Sequence, residues 1–152
     1  MVAGWLLARA GVDVIVLEKH ADFLRDFRGD TIHPSTLETM YELGALDELL
    51  ALPHTRQQQI SIDLMGERIT GPDFPHVPTH CKFIAFMPQW DFLRFVEQRA
   101  RRYPTFRLRM DTEVIGVVSD AEGVVGVRTR DGEIRSRLVI GADGRHSVIR
   151  EG

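Results

Sequence analysis

The chain has 152 residues, is 43% hydrophobic and 27% charged, and carries a formal charge of −3. That length supports one domain with a buried core. The mild acidity excludes any case for nucleic acid or an anionic membrane built on net charge. A single cysteine, Cys81, rules out an intrachain disulfide and suits a reducing, cytoplasmic setting.

Residues 1–10 are apolar, but they lack a basic leader and Arg9 interrupts them, so a helix is predicted rather than a signal peptide. Val2, Leu6 and Ala10 recur at helical spacing, with Ala3 and Leu7 on adjoining rows. Gly11 is placed to stop the helix in a left-handed conformation. Residues 12–17 follow at once, almost wholly apolar, and predict a strand buried on both faces of a parallel sheet. A helix feeding such a strand is the second half of a βαβ unit. No stretch of the chain approaches the roughly 20 apolar residues of a membrane helix.

Ser35 and Glu38, with Pro34 just ahead, have the spacing of a capping box and predict a helix ending at Gly44. A second short helix is predicted over 47–52. Ile60, Ile62 and Leu64 alternate with polar residues, as in a half-buried strand. Pro72, Pro75 and Pro78 predict a loop. A strand over 82–87 leads into a helix over 90–103, where Phe92, Leu93, Val96 and Ala100 share one face. A short strand over 106–110 follows. Next comes a β-meander over 114–118, 124–129 and 133–137, whose Asp131-Gly132 turn suits a tight hairpin. Residues 138–140 predict another buried strand, leading through Gly141-Ala142-Asp143-Gly144 to a helix beginning near Ser147.

Several residues at the ends of these elements have types suited to binding. Glu18 closes the first buried strand, where a dinucleotide fold places an acid against the adenosine ribose diol. A carboxylate can accept both hydroxyl donors. The alternative is a solvated strand-end acid. Arg28, in Arg28-Gly29-Asp30-Thr31-Ile32-His33-Pro34-Ser35, offers fixed donors suited to phosphate; otherwise it is a loop arginine. Gln89 opens a helix with an amide that both donates and accepts. Asp143-Gly144 sits between a predicted strand and a helix, followed by Ser147 and Arg150, although Asp-Gly pairs are also frequent in plain turns.

Together the stretch from Glu18 to Ser35, Gln89, and the segment Gly141-Ala142-Asp143-Gly144-Arg145-His146-Ser147-Val148-Ile149-Arg150 resemble the FAD-dependent monooxygenases of the aromatic-hydroxylase, para-hydroxybenzoate hydroxylase-like family. The resemblance runs over nearly the whole chain. It implies a doubly wound, Rossmann-like α/β FAD-binding domain with inserted antiparallel strands, the insert running over about 56–87 as the start of a substrate domain. It also implies that both ends of the domain are missing. The glycine loop would lie just before Met1, at the usual distance of about 20 residues from the ribose acid, and a Gly-Asp segment would lie beyond Gly152.

By the same resemblance, Glu18 meets the ribose and Arg28 the diphosphate of FAD. Gln89 contacts the ribityl chain, and a backbone group at Val114 contacts adenine. Asp143 and Gly144 lie near the diphosphate and the nicotinamide cofactor. The implied activity is NADH- or NADPH-driven hydroxylation of a small aromatic substrate, with this chain by itself an inactive fragment. The alternatives are a flavin- or NAD(P)-dependent oxidoreductase without oxygenase chemistry, or a non-catalytic fragment. No catalytic acid or base can be assigned.

Two other constellations are weaker. His76, His80 and Cys81 supply three ligands where a structural zinc site needs four, so no metal is expected. Arg99, Arg101, Arg102, Arg107 and Arg109 cluster, but no nucleic-acid motif accompanies them. No Ser-His-Asp arrangement or nucleophile elbow is visible.

Overall fold

The computed structural model describes residues 1–24 and 30–152. The chain divides into two compact units, one formed by Met1–Asp22 with Ala100–Gly152 and the other by Phe23–Arg99.

In the first unit, α1 (Val2–Arg9) leads into β1 (Val14–Leu17). Gly11 stops α1 as predicted, with φ +80°. Its N–H donates to the Ala8 carbonyl and that of Val12 to the Leu7 carbonyl, so two orphan carbonyls of the last turn are satisfied. The buried face of α1 is Gly4, Trp5 and Ala8. This corrects the expected stripe of Val2, Leu6 and Ala10: Leu6, Ala10 and Ala3 are all exposed. The helix buries Trp5 beside the small residues Gly4 and Ala8, and Gly4 sets the closest contact. A Cβ there would fall 2.5 Å from Val16 Cγ2 and 3.2 Å from Phe106 Cε2.

β1 pairs in parallel with β7 (Phe106–Arg109), with Val14 opposite Phe106 and Leu17 opposite Arg109. All four β1 residues are half-buried rather than buried on both faces, because β7 is its one sheet neighbour among the described residues. The meander forms as predicted. β8 (Val114–Asp120), β9 (Gly123–Thr129) and β10 (Gly132–Arg135) make an antiparallel sheet in the order β10-β9-β8. The short helix α5 (Val148–Glu151) packs on β8.

Residues 138–140 do not form the predicted strand. They have the composition of one, but no sheet among the described residues includes them. Leu138 is 72% and Ile140 56% exposed.

In the second unit, β2 (Thr31–Ile32) and β3 (Thr55–Gln57) flank β6 (Ile84–Phe86) in an antiparallel sheet. β4 (Gln59–Leu64) and β5 (Glu67–Asp73) form a hairpin. Neither β2 nor β3 was legible as a strand: each is too short to show a period. β5 extends into the region read as a proline loop. Pro72 falls in the irregularity between the Gln59–Asp73 and Ser61–Thr70 pairs, and a bulge needs no N–H donor from it.

α2 (Pro34–Glu42), α3 (Leu46–Leu50) and α4 (Gln89–Ala100) complete the chain, and α4 ends at the boundary between the units. Leu37, Met40, Leu49, Ile84, Met87 and Val96 are fully buried. The predicted capping box of α2 is absent. His33 is the N-cap and Pro34 the first helical residue, with no side-chain cap. Glu38 is drawn instead to His80, as described below.

Candidate functional site

Glu18 follows β1, and the sheet fixes its backbone. Its N–H donates to the Arg109 carbonyl at 3.0 Å, and its carbonyl accepts from Thr112 N–H at 2.8 Å. Its Oε1 accepts from the backbone N–H of His20 at 3.0 Å. The side chain is half-buried. The start of α1 lies close by: burial holds the Met1 α-amine below its ordinary pKa, and the Glu18 carboxylate partly opposes that. A strand-end carboxylate beside a helix N-terminus is the pairing that meets a ribose diol and a phosphate in dinucleotide folds. Val114 opens β8 two residues beyond Thr112, opposite Thr129, so one backbone bond joins its segment to Glu18.

Asp143 and Gly144 shape the turn into α5. Asp143 Oδ1 accepts from Ser147 Oγ at 2.6 Å, and Oδ2 accepts from Ile149 N–H at 3.3 Å. Ser147, itself buried, caps α5 by accepting from Arg150 N–H at 3.1 Å. The bond from Ser147, with help from backbone N–H groups, holds the Asp143 carboxyl below its ordinary pKa, against a smaller opposing effect of desolvation. Both oxygens of Asp143 therefore serve the turn, and the acid acts on its surroundings by fixing backbone. Gly144 has φ +84°, and a Cβ at Gly141 would fall 2.9 Å from Ile149 Cβ, so neither position takes another residue without strain. The sequence pointed to Asp143 and to a helix start near Ser147 but did not join them. Their four-residue spacing into a helix N-terminus was the available signal.

In the second unit, Gln89 is the first residue of α4, whose start is held by the Pro88 carbonyl accepting from Asp91 N–H at 3.0 Å. Gln89 is half-buried, and no hydrogen bond of its amide is found among the described residues. Arg28 lies outside the described residues. His80, one of the three weighed as metal ligands, is tied to Glu38 by its Nδ1 at 2.8 Å and its backbone N–H at 2.7 Å. Cys81 is buried, which pushes its thiol up and disfavours the thiolate a metal would need. Among the described residues no cluster of three metal-ligating side chains forms, and no helix is long and apolar enough to cross a membrane.

The chain matches the FAD binding domain family over residues 1–152. It belongs to that family. It is 26% identical over 150 residues to the 6-methylpretetramide 4-monooxygenase of Streptomyces rimosus, a match covering 96% of this chain and 36% of that protein. It is 30% identical over 148 residues to the dialkyldecalin synthase of Streptomyces rugosporus, covering 95% of this chain and 30% of that protein. Among solved structures, pqsL from Pseudomonas aeruginosa, described as a probable FAD-dependent monooxygenase, superimposes with a TM-score of 0.80 at 24% identity. That match covers 99% of this chain and 41% of pqsL, and it shows the fold. The FAD-binding domain thus spans about a third of its relatives' length. Its groups are of types that suit a flavin dinucleotide: a half-buried carboxylate, an amide with no hydrogen-bond partner among the described residues, and a turn whose glycines are exposed.

Proposed function

We propose that the chain supplies the FAD-binding part of an FAD-dependent monooxygenase that hydroxylates a small aromatic substrate with NADH or NADPH as reductant. The observation that carries this reading is the match to the FAD binding domain family over the whole chain. When bound, FAD supplies the redox chemistry, accepting electrons from the nicotinamide and reacting with O₂. The residues of this chain bind and orient. Glu18 accepts hydrogen bonds from the adenosine ribose, Val114 offers backbone to adenine, and Arg28 meets the diphosphate. Gln89 contacts the ribityl chain. Asp143, through Ser147 and the N-terminus of α5, holds the Gly144 turn in shape for the cofactor. A cytoplasmic location fits this reductant supply and the single, buried, free cysteine. The inserted portion over about 56–87 begins the substrate domain.

A second reading rests on the dialkyldecalin synthase, whose name is not that of an oxygenase and which is as similar as the monooxygenases. On that reading the flavin fold serves a reaction that consumes no O₂. O₂ uptake decides between them. It should rise on adding NADH or NADPH with a phenolic substrate, with product formation rather than peroxide release. FAD bound without nicotinamide-dependent O₂ uptake favours the second reading.

A further inference from the structure

The second unit holds a groove of about 570 Å³ lined by Arg56, Gln57, Gln59, His80, Lys82 and Phe83. It is placed at the start of β6, whereas Gln89 follows the end of that strand. Three observations bear on what it takes.

Arg56 is held in place. His54 Nδ1 lies 2.8 Å from the Leu52 carbonyl, so Nδ1 carries the proton and donates. That leaves His54 Nε2 free to accept, and it does so from Arg56 Nε at 3.0 Å. The guanidinium carbon lies 4.7 Å from the centre of the Phe83 ring. A neutral histidine and an aromatic face therefore orient the arginine, while its Nη groups have no acidic partner among the described residues. Lys82, exposed on the same groove, also lacks one. His80 is fixed by Glu38 and by stacking on Tyr41, with ring centroids 3.4 Å apart. Its Nδ1 is spent on Glu38, which leaves Nε2 for another partner.

We propose that this groove is a binding site for the oxyanion of a small molecule, a carboxylate or phosphate group seated between Arg56 and Lys82. A guanidinium that is oriented but not paired presents two donors in the geometry that carboxylates and phosphates accept. Of the groove's glutamines, Gln57 already donates from its amide to the Gln59 carbonyl at 3.0 Å. An arginine kept only for solubility would need no histidine to hold its Nε. The site stands whatever reaction the protein performs.

The test is titration of the purified protein with inorganic phosphate and, separately, with benzoate, followed by NMR signals of the histidines and of Phe83. At least one probe should bind saturably at low ionic strength. Arg56→Gln and Lys82→Gln should each weaken it by about tenfold, the scale of one charge-assisted hydrogen bond, while Arg107→Gln in the other unit leaves it unchanged. Tighter benzoate identifies a carboxylate ligand, and tighter phosphate a phosphate ester. Thermal unfolding of each variant is measured alongside. If Arg56→Gln does not fold, the exposed Lys82→Gln carries the test. Absence of saturable binding by either probe overturns the proposal, as does equal weakening by Arg107→Gln.

Discussion

Asp143 and Glu18 carry the account at the residue scale, and they act differently. Asp143 spends both oxygens on Ser147 and the start of α5, so its charge is tested through the turn. Its carboxyl is held below the ordinary aspartate range. The stabilisation is therefore complete above the unfolded value of about 3.9 and is lost as pH falls through the lower folded value. Amide signals of Ile149 and Arg150 should stay native at pH 5 and shift on further acidification. In Asp143→Asn this acid step should vanish. A step that persists in the variant places the titration elsewhere. Glu18 is half-buried, and its Oε1 already accepts from the His20 N–H. Glu18→Gln keeps the size and removes the charge, so FAD affinity should fall by roughly one to two decades, the worth of a charge-assisted hydrogen bond. An unchanged FAD titration would show that the ribose is held by other groups.

At the scale of elements, glycine placement decides more than apolar spacing does. Gly44 closes α2 with φ +64°, its N–H donating to the Tyr41 carbonyl and that of Ala45 to the Met40 carbonyl. Gly44→Ala should cost about 1 kcal/mol for the left-handed backbone, measurable by denaturant unfolding. Gly4 is the more severe case. Alanine in mid-helix gains about 1 kcal/mol of propensity, but overpacking a tight contact costs about 1–3 kcal/mol. With Val16 only 2.5 Å from the added Cβ, overpacking wins, and Gly4→Ala should lower stability by up to about 2 kcal/mol. A stabilised variant would mean that α1 is not pressed on β1.

The helix stops at Gly11 and Gly44, the meander, and α4 were legible because each has a local cause. The buried face of α1 was not, since Trp5 is its one large apolar residue and Gly4 and Ala8 beside it add little hydrophobic signal. The capping box at Ser35 failed because Glu38 found His80, 42 residues away, and no local rule sees that pairing. Of the candidate site, Glu18, Gln89, Asp143 and Gly144 lie at element ends as the sequence suggested. The bond from Ser147 and the orientation of Arg56 by His54 emerged from the structure.

For the whole molecule, exposed apolar surface and cofactor binding are the two measurable consequences. Leu138 and Ile140 are exposed beside no sheet partner, and β1 has one paired neighbour among the described residues. Unpaired apolar strand-like segments promote association. A Leu138→Lys, Ile140→Glu double variant should therefore reduce self-association in light scattering at equal concentration. No change would show that the segment is covered in solution. The family fold predicts a single bound FAD, with the activity residing in that cofactor. The most direct measurement uses the longest product of the reading frame that contains this chain. Flavin content and NADH- or NADPH-dependent O₂ uptake are recorded with and without a panel of phenols. One FAD per chain is expected, with nicotinamide-dependent O₂ uptake that at least one phenol stimulates with hydroxylated product. A protein that neither retains nor rebinds FAD would contradict it.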